Sequence, residues 1–123
     1  MTDSLTLSSI GVPAEANSVA KGFWDDEPEP GTPEHGKYLS LKLFLMVSEL
    51  VEAFEELRKS RLPGERYYSE GEKPEGFLSE MADVMIRFTE FREHIKLLPE
   101  LEAAIIEKMA YNGIRPAMHG KAF

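Results

Sequence analysis

The chain of 123 residues contains no cysteine, which excludes disulfide bonds, thiolate metal ligands and thiol nucleophiles. Basic residues are also scarce: 14 Lys and Arg stand against 22 Asp and Glu, which gives a formal net charge of −8. This balance argues against binding to a nucleic acid polymer or to an anionic membrane through a broad basic face. No apolar run approaches the length of about 20 residues that spans a membrane, because Lys42 interrupts the best candidate.

The N-terminus lacks the basic start and the long apolar run of a signal peptide, so we expect a cytoplasmic protein. The apolar fraction of 42% is typical of a globular protein, and the length predicts a single domain, 1–123. No segment shows convincing strand alternation, which predicts an all-α fold. The loop lengths favour a four-helix-type bundle built around two long antiparallel helices.

Proline and glycine residues divide this single domain into three parts. The first part, 1–36, holds a short helix at about 14–23 and an acidic loop. The core helices follow in 37–113, and 114–123 is an irregular tail. Helix-start and helix-stop signals place the core helices from about Glu34 or Lys37 to Ser60, from Pro74 to about Leu97, and from Pro99 to Gly113.

Two of the predicted helices each carry a pair of acids spaced three residues apart, Glu49 with Glu52 and Glu80 with Asp83. Each pair lies on one face of its helix, at the edge of an apolar arc. If the helices pack antiparallel with these edges together, four carboxylates converge and repel one another. A divalent cation removes the conflict, and all-oxygen ligation selects Mg²⁺, Mn²⁺ or Ca²⁺ over zinc. Because Mg²⁺ often completes its shell with substrate phosphate, the pattern predicts phosphate chemistry.

Other interpretations of these acids stay open. A single Glu-x-x-Glu on a helix is usually solvated. A di-iron carboxylate bundle requires Glu-x-x-His, and none of His35, His94 and His119 has a glutamate three residues before it. The main alternative to an enzyme is a non-catalytic helical oligomerisation or nucleotide-binding module whose acids form a solvated or cation-bound face.

The ordered motifs E-L-V-E and E-M-A-D resemble those of the MazG-like nucleoside triphosphate pyrophosphohydrolases, in the all-α NTP pyrophosphatase superfamily. The resemblance covers about Leu39 to Lys121, in three blocks: KLFLMVSELVEAFEELR, KPEGFLSEMADVMIRF and EKMAYNGIRPAMHGK. It implies hydrolysis of an NTP or dNTP between the α and β phosphates, which yields a nucleoside monophosphate and pyrophosphate. A related phosphorylated metabolite such as a phosphoribosyl-ATP is an alternative substrate within the same fold.

The resemblance also implies roles for individual residues. It assigns Mg²⁺ binding to Glu49, Glu52, Glu80 and Asp83, and nucleotide contacts to Lys108, Asn112 and Arg115. The family motif has a further glutamate where this chain has Ser48. Glu56, one turn beyond Glu52, is the nearest substitute for it as a general base.

The loops near the helix ends contain further candidates for contact with a base, namely Trp24, His35, Tyr67 and Tyr68. Arg87, one turn after Asp83, is expected to form an ion pair that orients a metal ligand. The helix around Leu39–Leu57 is apolar over too much of its circumference for one thin bundle to cover. We therefore expect a homodimer or homotetramer, which is also common in the family.

Overall fold

The computed structural model describes residues 5–6, 9–59 and 61–116. In this part of the chain there are four α-helices and one two-stranded sheet, so the fold is mostly helical, as predicted. Most of the predicted tail, 117–123, lies outside the described residues. None of the described helices is both long enough and apolar enough to cross a membrane. The elements in chain order are α1 Gly11–Ala20, α2 Pro33–Arg58, β1 Tyr67–Ser69, β2 Lys73–Glu75, α3 Phe77–Ile95 and α4 Leu98–Ile114.

The long helix α2 begins at Pro33, slightly earlier than the predicted start at Glu34 or Lys37. Its start is fixed by Thr32, whose hydroxyl oxygen accepts a hydrogen bond from the backbone N–H of His35 at 3.2 Å. This is the N-cap arrangement, and proline is favoured in the first turn that follows it. The cap therefore places His35 inside the helix and not in the loop before it.

The short helix α1 spans Gly11–Ala20, three residues before the predicted 14–23. Gly11 is buried against α3, where a Cβ atom would stand 2.6 Å from an Arg92 guanidinium nitrogen and 3.1 Å from the Thr89 carbonyl oxygen. A side chain here would have to displace the Arg92 guanidinium and press on the Thr89 carbonyl, so glycine lets the start of α1 lie close against α3.

The structure contains a short β-hairpin, although the sequence predicted no strand. β1 and β2 pair antiparallel, with Tyr67 opposite Glu75 and Ser69 opposite Lys73, and a 3₁₀ turn at Glu70–Glu72 joins them. Pro74 therefore lies in a strand and does not open α3 as predicted. A proline is tolerated there because each strand of a two-stranded sheet has a free edge. Strands of three residues are too short to show alternation in the sequence.

Gly76 connects the hairpin to α3 and sets the true start of that helix at Phe77. Its φ of 110° is open to glycine but not to other residues without strain. A Cβ atom here would also lie 2.7 Å from the carbonyl oxygen of Glu65. The chain therefore turns from β2 into α3 at the one residue that allows both the dihedral angle and the contact.

The helices α1 and α2 both pack against α3, whereas α4 has no buried residue. Among the described residues only Trp24 and Ala53 are buried hydrophobic residues, with exposed fractions of 6% and 2%. Large apolar side chains remain exposed along two helices: Leu41, Leu43, Phe44, Val47, Leu50, Val51 and Phe54 on α2, and Ile105, Ile106, Met109 and Ile114 on α4. The interior of a single chain is therefore small.

Candidate metal centre

Three of the four predicted metal ligands converge between α2 and α3. Glu49, Glu52 and Glu80 each place a carboxylate oxygen so that the three oxygens lie within 4.8 Å of one another. Glu52 is exposed, Glu49 is half-buried and Glu80 is buried. The cluster thus has one side open to solvent and one side set into the packing between the helices.

The buried member of this acid cluster has an unusual protonation state. Burial, the charges of Glu52 and Asp83, a hydrogen bond with Glu52 and the charge of Glu49 together raise the pKa of Glu80 from 4.5 to about 7. Glu80 therefore retains its proton at a pH where an ordinary glutamate has lost it. A cation in the cluster would remove the repulsion that causes this.

Asp83, the fourth predicted ligand, follows Glu80 by three residues, nearly one helical turn. Its carboxylate oxygens are not among the three that converge. It is nevertheless in the same electrostatic environment. Loss of water around its carboxyl group and the charge of Glu49 raise the pKa of Asp83, while Arg87 partly opposes them. The structure therefore places Asp83 beside the acid cluster.

Arg87 ties one member of the cluster in place. Its Nε donates a hydrogen bond to Glu49 Oε1 at 2.7 Å, and both side chains are largely shielded from water. The expected ion pair is therefore present, and its partner is on α2. A charged hydrogen bond of this kind fixes the carboxylate and removes part of the cluster's negative charge.

The donors that converge here suit a hard divalent cation. The three close donors are all carboxylate oxygens, and described residues contribute no nitrogen or sulfur ligand to the group. Oxygen-only sets of this kind are typical of Mg²⁺, Mn²⁺ and Ca²⁺. The raised pKa of Glu80 adds a physical cost that such a cation would relieve.

Glu56, the predicted general base, points away from the acid cluster to the hairpin. Its carboxylate is only 5% exposed and accepts hydrogen bonds from the Tyr67 hydroxyl at 2.9 and 3.2 Å and from Lys59 Nζ at 3.2 Å. Burial would raise the pKa of Glu56, but these hydrogen bonds outweigh burial and lower it. They favour a role in anchoring β1 on α2. Ser48 also turns away, since its hydroxyl donates to the Leu45 carbonyl at 2.7 Å.

The three predicted nucleotide contacts lie in the last two turns of α4 and just after its end. Arg115 Nη1 donates to Asn112 Oδ1 at 3.4 Å, and the cations of Lys108 and Arg115 lie 5.5 and 5.4 Å from the ring centre of Tyr111. In the described chain none of the three forms an ion pair or hydrogen bond with the acid cluster. The structure therefore assembles the two halves of the predicted site separately.

Trp24 and His35 belong to a polar network that joins α1, the acidic loop, α2 and α3. The indole of Trp24 is buried, stacks on His94 and donates from Nε1 to Ser18 Oγ at 3.0 Å. His35 Nε2 lies 2.8 Å from a carboxylate oxygen of Glu27. Both residues thus have internal partners, and their contact with a base stays a prediction. His94 carried no signal in the sequence, because its partners are distant along the chain.

A cavity of about 450 Å³ opens directly beside the acid cluster. Its wall includes Glu49 of α2, Asp83 and Glu90 of α3, and residues of α1 and of the loop that follows it. The size falls in the range of small-molecule sites. The sequence marks Glu90 as an acid on the same edge of α3, but it does not show that α1 closes a cavity over it.

Comparison of the chain with protein-family models, with curated proteins and with solved structures yields no match.

Proposed function

We propose that the chain is a Mg²⁺-dependent nucleoside triphosphate pyrophosphohydrolase, which cleaves an NTP or dNTP to the monophosphate and pyrophosphate. The observation that carries this proposal is the convergence of the Glu49, Glu52 and Glu80 carboxylate oxygens within 4.8 Å of one another, and the raised pKa of Glu80, about 7, agrees with it. Asp83 would supply the fourth carboxylate. The resemblance to MazG-like enzymes adds the reaction type.

Mg²⁺ bound at this cluster would neutralise triphosphate charge and lower the pKa of an attacking water. The residues of the chain prepare the cluster for that task. Arg87 holds Glu49 through its 2.7 Å hydrogen bond, so that this carboxylate is oriented before any ligand arrives. Glu80 would give up its proton on binding a cation, and the exposed Glu52 leaves one side of the cluster open to solvent. The proposed reaction needs no side-chain nucleophile, and charge stabilisation and positioning would do most of the work.

We also propose that α2 and α3 run antiparallel, as a bundle of this type requires. Contacts between them support this direction. Glu49 pairs with Arg87, and Glu52 pairs with Glu80. The later residue of α2 thus contacts the earlier residue of α3, as expected for antiparallel helices. This direction brings the acid pairs of the two helices together.

A homodimer or homotetramer is part of the proposal. Large apolar side chains on α2 and α4 are exposed on the described part of a single chain, which is typical of surfaces that a partner covers. Because α4 does not reach the acid cluster of its own chain, we propose that a second copy supplies Lys108, Asn112 and Arg115 to each site.

Pyrophosphate release from a panel of NTPs, dNTPs and a phosphoribosyl-ATP tests the function. We expect release with Mg²⁺, none with a chelator, and none from the Glu52→Gln and Asp83→Asn variants, whose circular dichroism should match the wild type. Absence of release from every compound, with Mg²⁺ or Mn²⁺ present, would support a non-catalytic binding or oligomerisation module instead.

A further inference from the structure

Two basic side chains line the cavity beside the acid cluster, Lys21 at the end of α1 and Arg87 on α3. Arg87 is already engaged, because its Nε donates to Glu49 Oε1 at 2.7 Å. Lys21 is exposed, and no ion pair or side-chain hydrogen bond within the described residues involves it. Of the two cations in this wall, Lys21 is therefore the one that a ligand can engage.

The end of α1 does not need the ammonium group of Lys21 as a cap. The backbone N–H of Gly22, at a φ of 83°, donates to the Val19 carbonyl at 3.1 Å. The backbone N–H of Phe23 donates to the Ser18 carbonyl at 2.9 Å. This pair of bonds is the Schellman arrangement, in which backbone donors satisfy the last carbonyls of a helix. The side chain of Lys21 thus remains available to the cavity.

Phe23 holds the turn that carries Lys21 against the two helices of the site. Its carbonyl oxygen accepts a hydrogen bond from Lys42 Nζ at 2.6 Å. The cations of Lys42 and Arg87 lie 3.4 and 5.4 Å from the centre of its ring. Because Arg87 also holds Glu49, the turn is docked on the same arginine that orients a metal ligand.

The cavity leaves space for an anion between Lys21 and the acids. Glu49 and Asp83 line the same volume of about 450 Å³, and no ion pair within the described residues joins either of them to Lys21. A cation at the acid cluster and the ammonium group would therefore act on one anion from two sides. Phosphate groups in transfer are commonly held in this way, by a metal ion together with a lysine or an arginine.

We propose that Lys21 binds the β and γ phosphates of the nucleotide, the part that leaves as pyrophosphate. This inference rests on the proposed function and adds to it a residue of the same chain that holds the leaving group.

The charge that develops in the reaction explains the choice of these two phosphates. Water adds to the α phosphorus and loses a proton to solvent, while the bond from that phosphorus to the bridging oxygen breaks. The electron pair of this bond remains on the pyrophosphate. A cation at the acid cluster acts on the α phosphate and its attacking water. The ammonium group of Lys21 would stabilise the charge on the departing side.

The test compares two products of the reaction as ligands. Titration calorimetry with Mg²⁺ measures the affinity for pyrophosphate and for the monophosphate of the best substrate. Lys21→Met should weaken pyrophosphate binding by about 10–100-fold, the usual effect of losing a charged hydrogen bond, and leave monophosphate binding within about threefold. Lys21→Arg should keep most of the pyrophosphate affinity, because a guanidinium also binds phosphate. Unchanged pyrophosphate binding in Lys21→Met, or an equal loss for both ligands, would overturn the proposal.

A matched control separates a role at the helix end from a role in binding. Lys37→Met makes the same substitution at an exposed lysine of α2 outside the cavity and should leave both affinities unchanged. If Lys21 only stabilised α1, Lys21→Met would lower the urea midpoint and keep the pyrophosphate affinity, which would contradict the proposal.

Failure of the proposed function gives a different result from failure of this inference. If the wild type hydrolyses a nucleotide but Lys21→Met binds pyrophosphate as well as the wild type does, only the inference fails. If the wild type releases pyrophosphate from no nucleotide, the proposed function fails, and calorimetry with pyrophosphate and AMP decides the inference. Pyrophosphate binding that Lys21→Met weakens selectively would then support it, and a wild type that binds no pyrophosphate would contradict it.

Discussion

The imidazole of His94 stacks flat on the indole of Trp24, with ring centres 3.7 Å apart and planes 12° from parallel. Glu15 and Glu27 lie at opposite nitrogens of the same imidazole, at 2.9 and 2.7 Å. One stack thus joins α1, the acidic loop and α3. It fixes the loop that forms a wall of the cavity beside the acid cluster.

Glu27 is the central acceptor of this network, because its two oxygens meet His35 and His94 at 2.8 and 2.7 Å. Replacing Glu27 by Gln should lower the free energy of unfolding by about 1–3 kcal/mol, the usual worth of hydrogen bonds to a charged group. Urea unfolding followed by fluorescence measures this, since Trp24 is the single tryptophan of the chain. Glu29→Gln, at an exposed acid of the same loop, should leave the midpoint unchanged.

The same network predicts a loss of stability in acid. Burial would raise the pKa of Glu27, but the hydrogen bonds from His94 and His35 outweigh it and the net pKa is lowered. A lowered folded pKa means that the stabilisation is present at neutral pH and disappears as the pH falls through that folded value. Glu27→Gln should abolish this part of the acid dependence. Parallel pH curves for the variant and the wild type would contradict the role of Glu27.

The burial of Trp24 predicts an effect on stability and not on the choice of base. Trp24→Ala should cost about 3–5 kcal/mol of unfolding free energy, as large core truncations do. Circular dichroism in a urea series measures the cost, with Tyr68→Ala at an exposed aromatic residue as the control. Because the indole contacts Ser18 and His94, the ratio of kcat/KM between substrates should not change. If Trp24→Ala changed the ratio of kcat/KM between substrates without changing stability, Trp24 would be a substrate-binding residue after all.

The periodic parts of the sequence predicted α2, α3 and α4 to within a few residues, because apolar spacing and proline starts are local signals. The acid cluster followed from two such helices. The stack of Trp24 on His94 could not be predicted, since it depends on how α1 and the loop dock on α3. The hairpin was missed for a different reason: a three-residue strand such as Lys73–Glu75 leaves no pattern.

The pKa of Glu80 predicts how stability without metal depends on pH. Because the folded value is about 7 and the ordinary value is 4.5, the stabilisation from its proton is fully present below pH 4.5 and is lost as the pH rises through about 7. The loss is on the order of 3 kcal/mol. Thermal melting with a chelator should therefore give a lower melting midpoint at pH 8 than at pH 5, because Glu80 loses its proton between these values.

Two comparisons isolate Glu80 in that experiment. Glu80→Gln should melt with less dependence on pH across this range, since its amide does not titrate. Added Mg²⁺ should raise the wild-type midpoint at the higher pH, because the cation replaces the lost proton as the partner of the carboxylates. A Glu80→Gln curve that follows the wild type would show that another group controls the dependence.

The hydrogen bond from Arg87 to Glu49 predicts a defect in metal binding. Arg87→Met should weaken Mg²⁺ binding by about 10–100-fold, the usual result of removing a group that orients a ligand. Titration calorimetry measures the affinity directly. Arg58→Met removes an exposed ion pair with Glu55, at 3.0 Å near the end of α2, and should have no effect. Equal Mg²⁺ affinities for both variants would mean that Glu49 does not depend on Arg87.

A shared site between two copies makes a prediction about mixtures of inactive proteins. Glu52→Gln removes a carboxylate from the acid cluster, and Lys108→Ala removes a cation from α4, so that each variant alone should be inactive. In a mixed dimer, the Lys108→Ala chain supplies an intact cluster and the Glu52→Gln chain supplies an intact Lys108. Random mixing in equal amounts makes about half of the dimers mixed, and each mixed dimer has one intact site of its two. The mixture should therefore recover about a quarter of the wild-type activity. Pyrophosphate release after joint refolding measures it, and a mixture as inactive as its components would place Lys108 in the site of its own chain or outside the site.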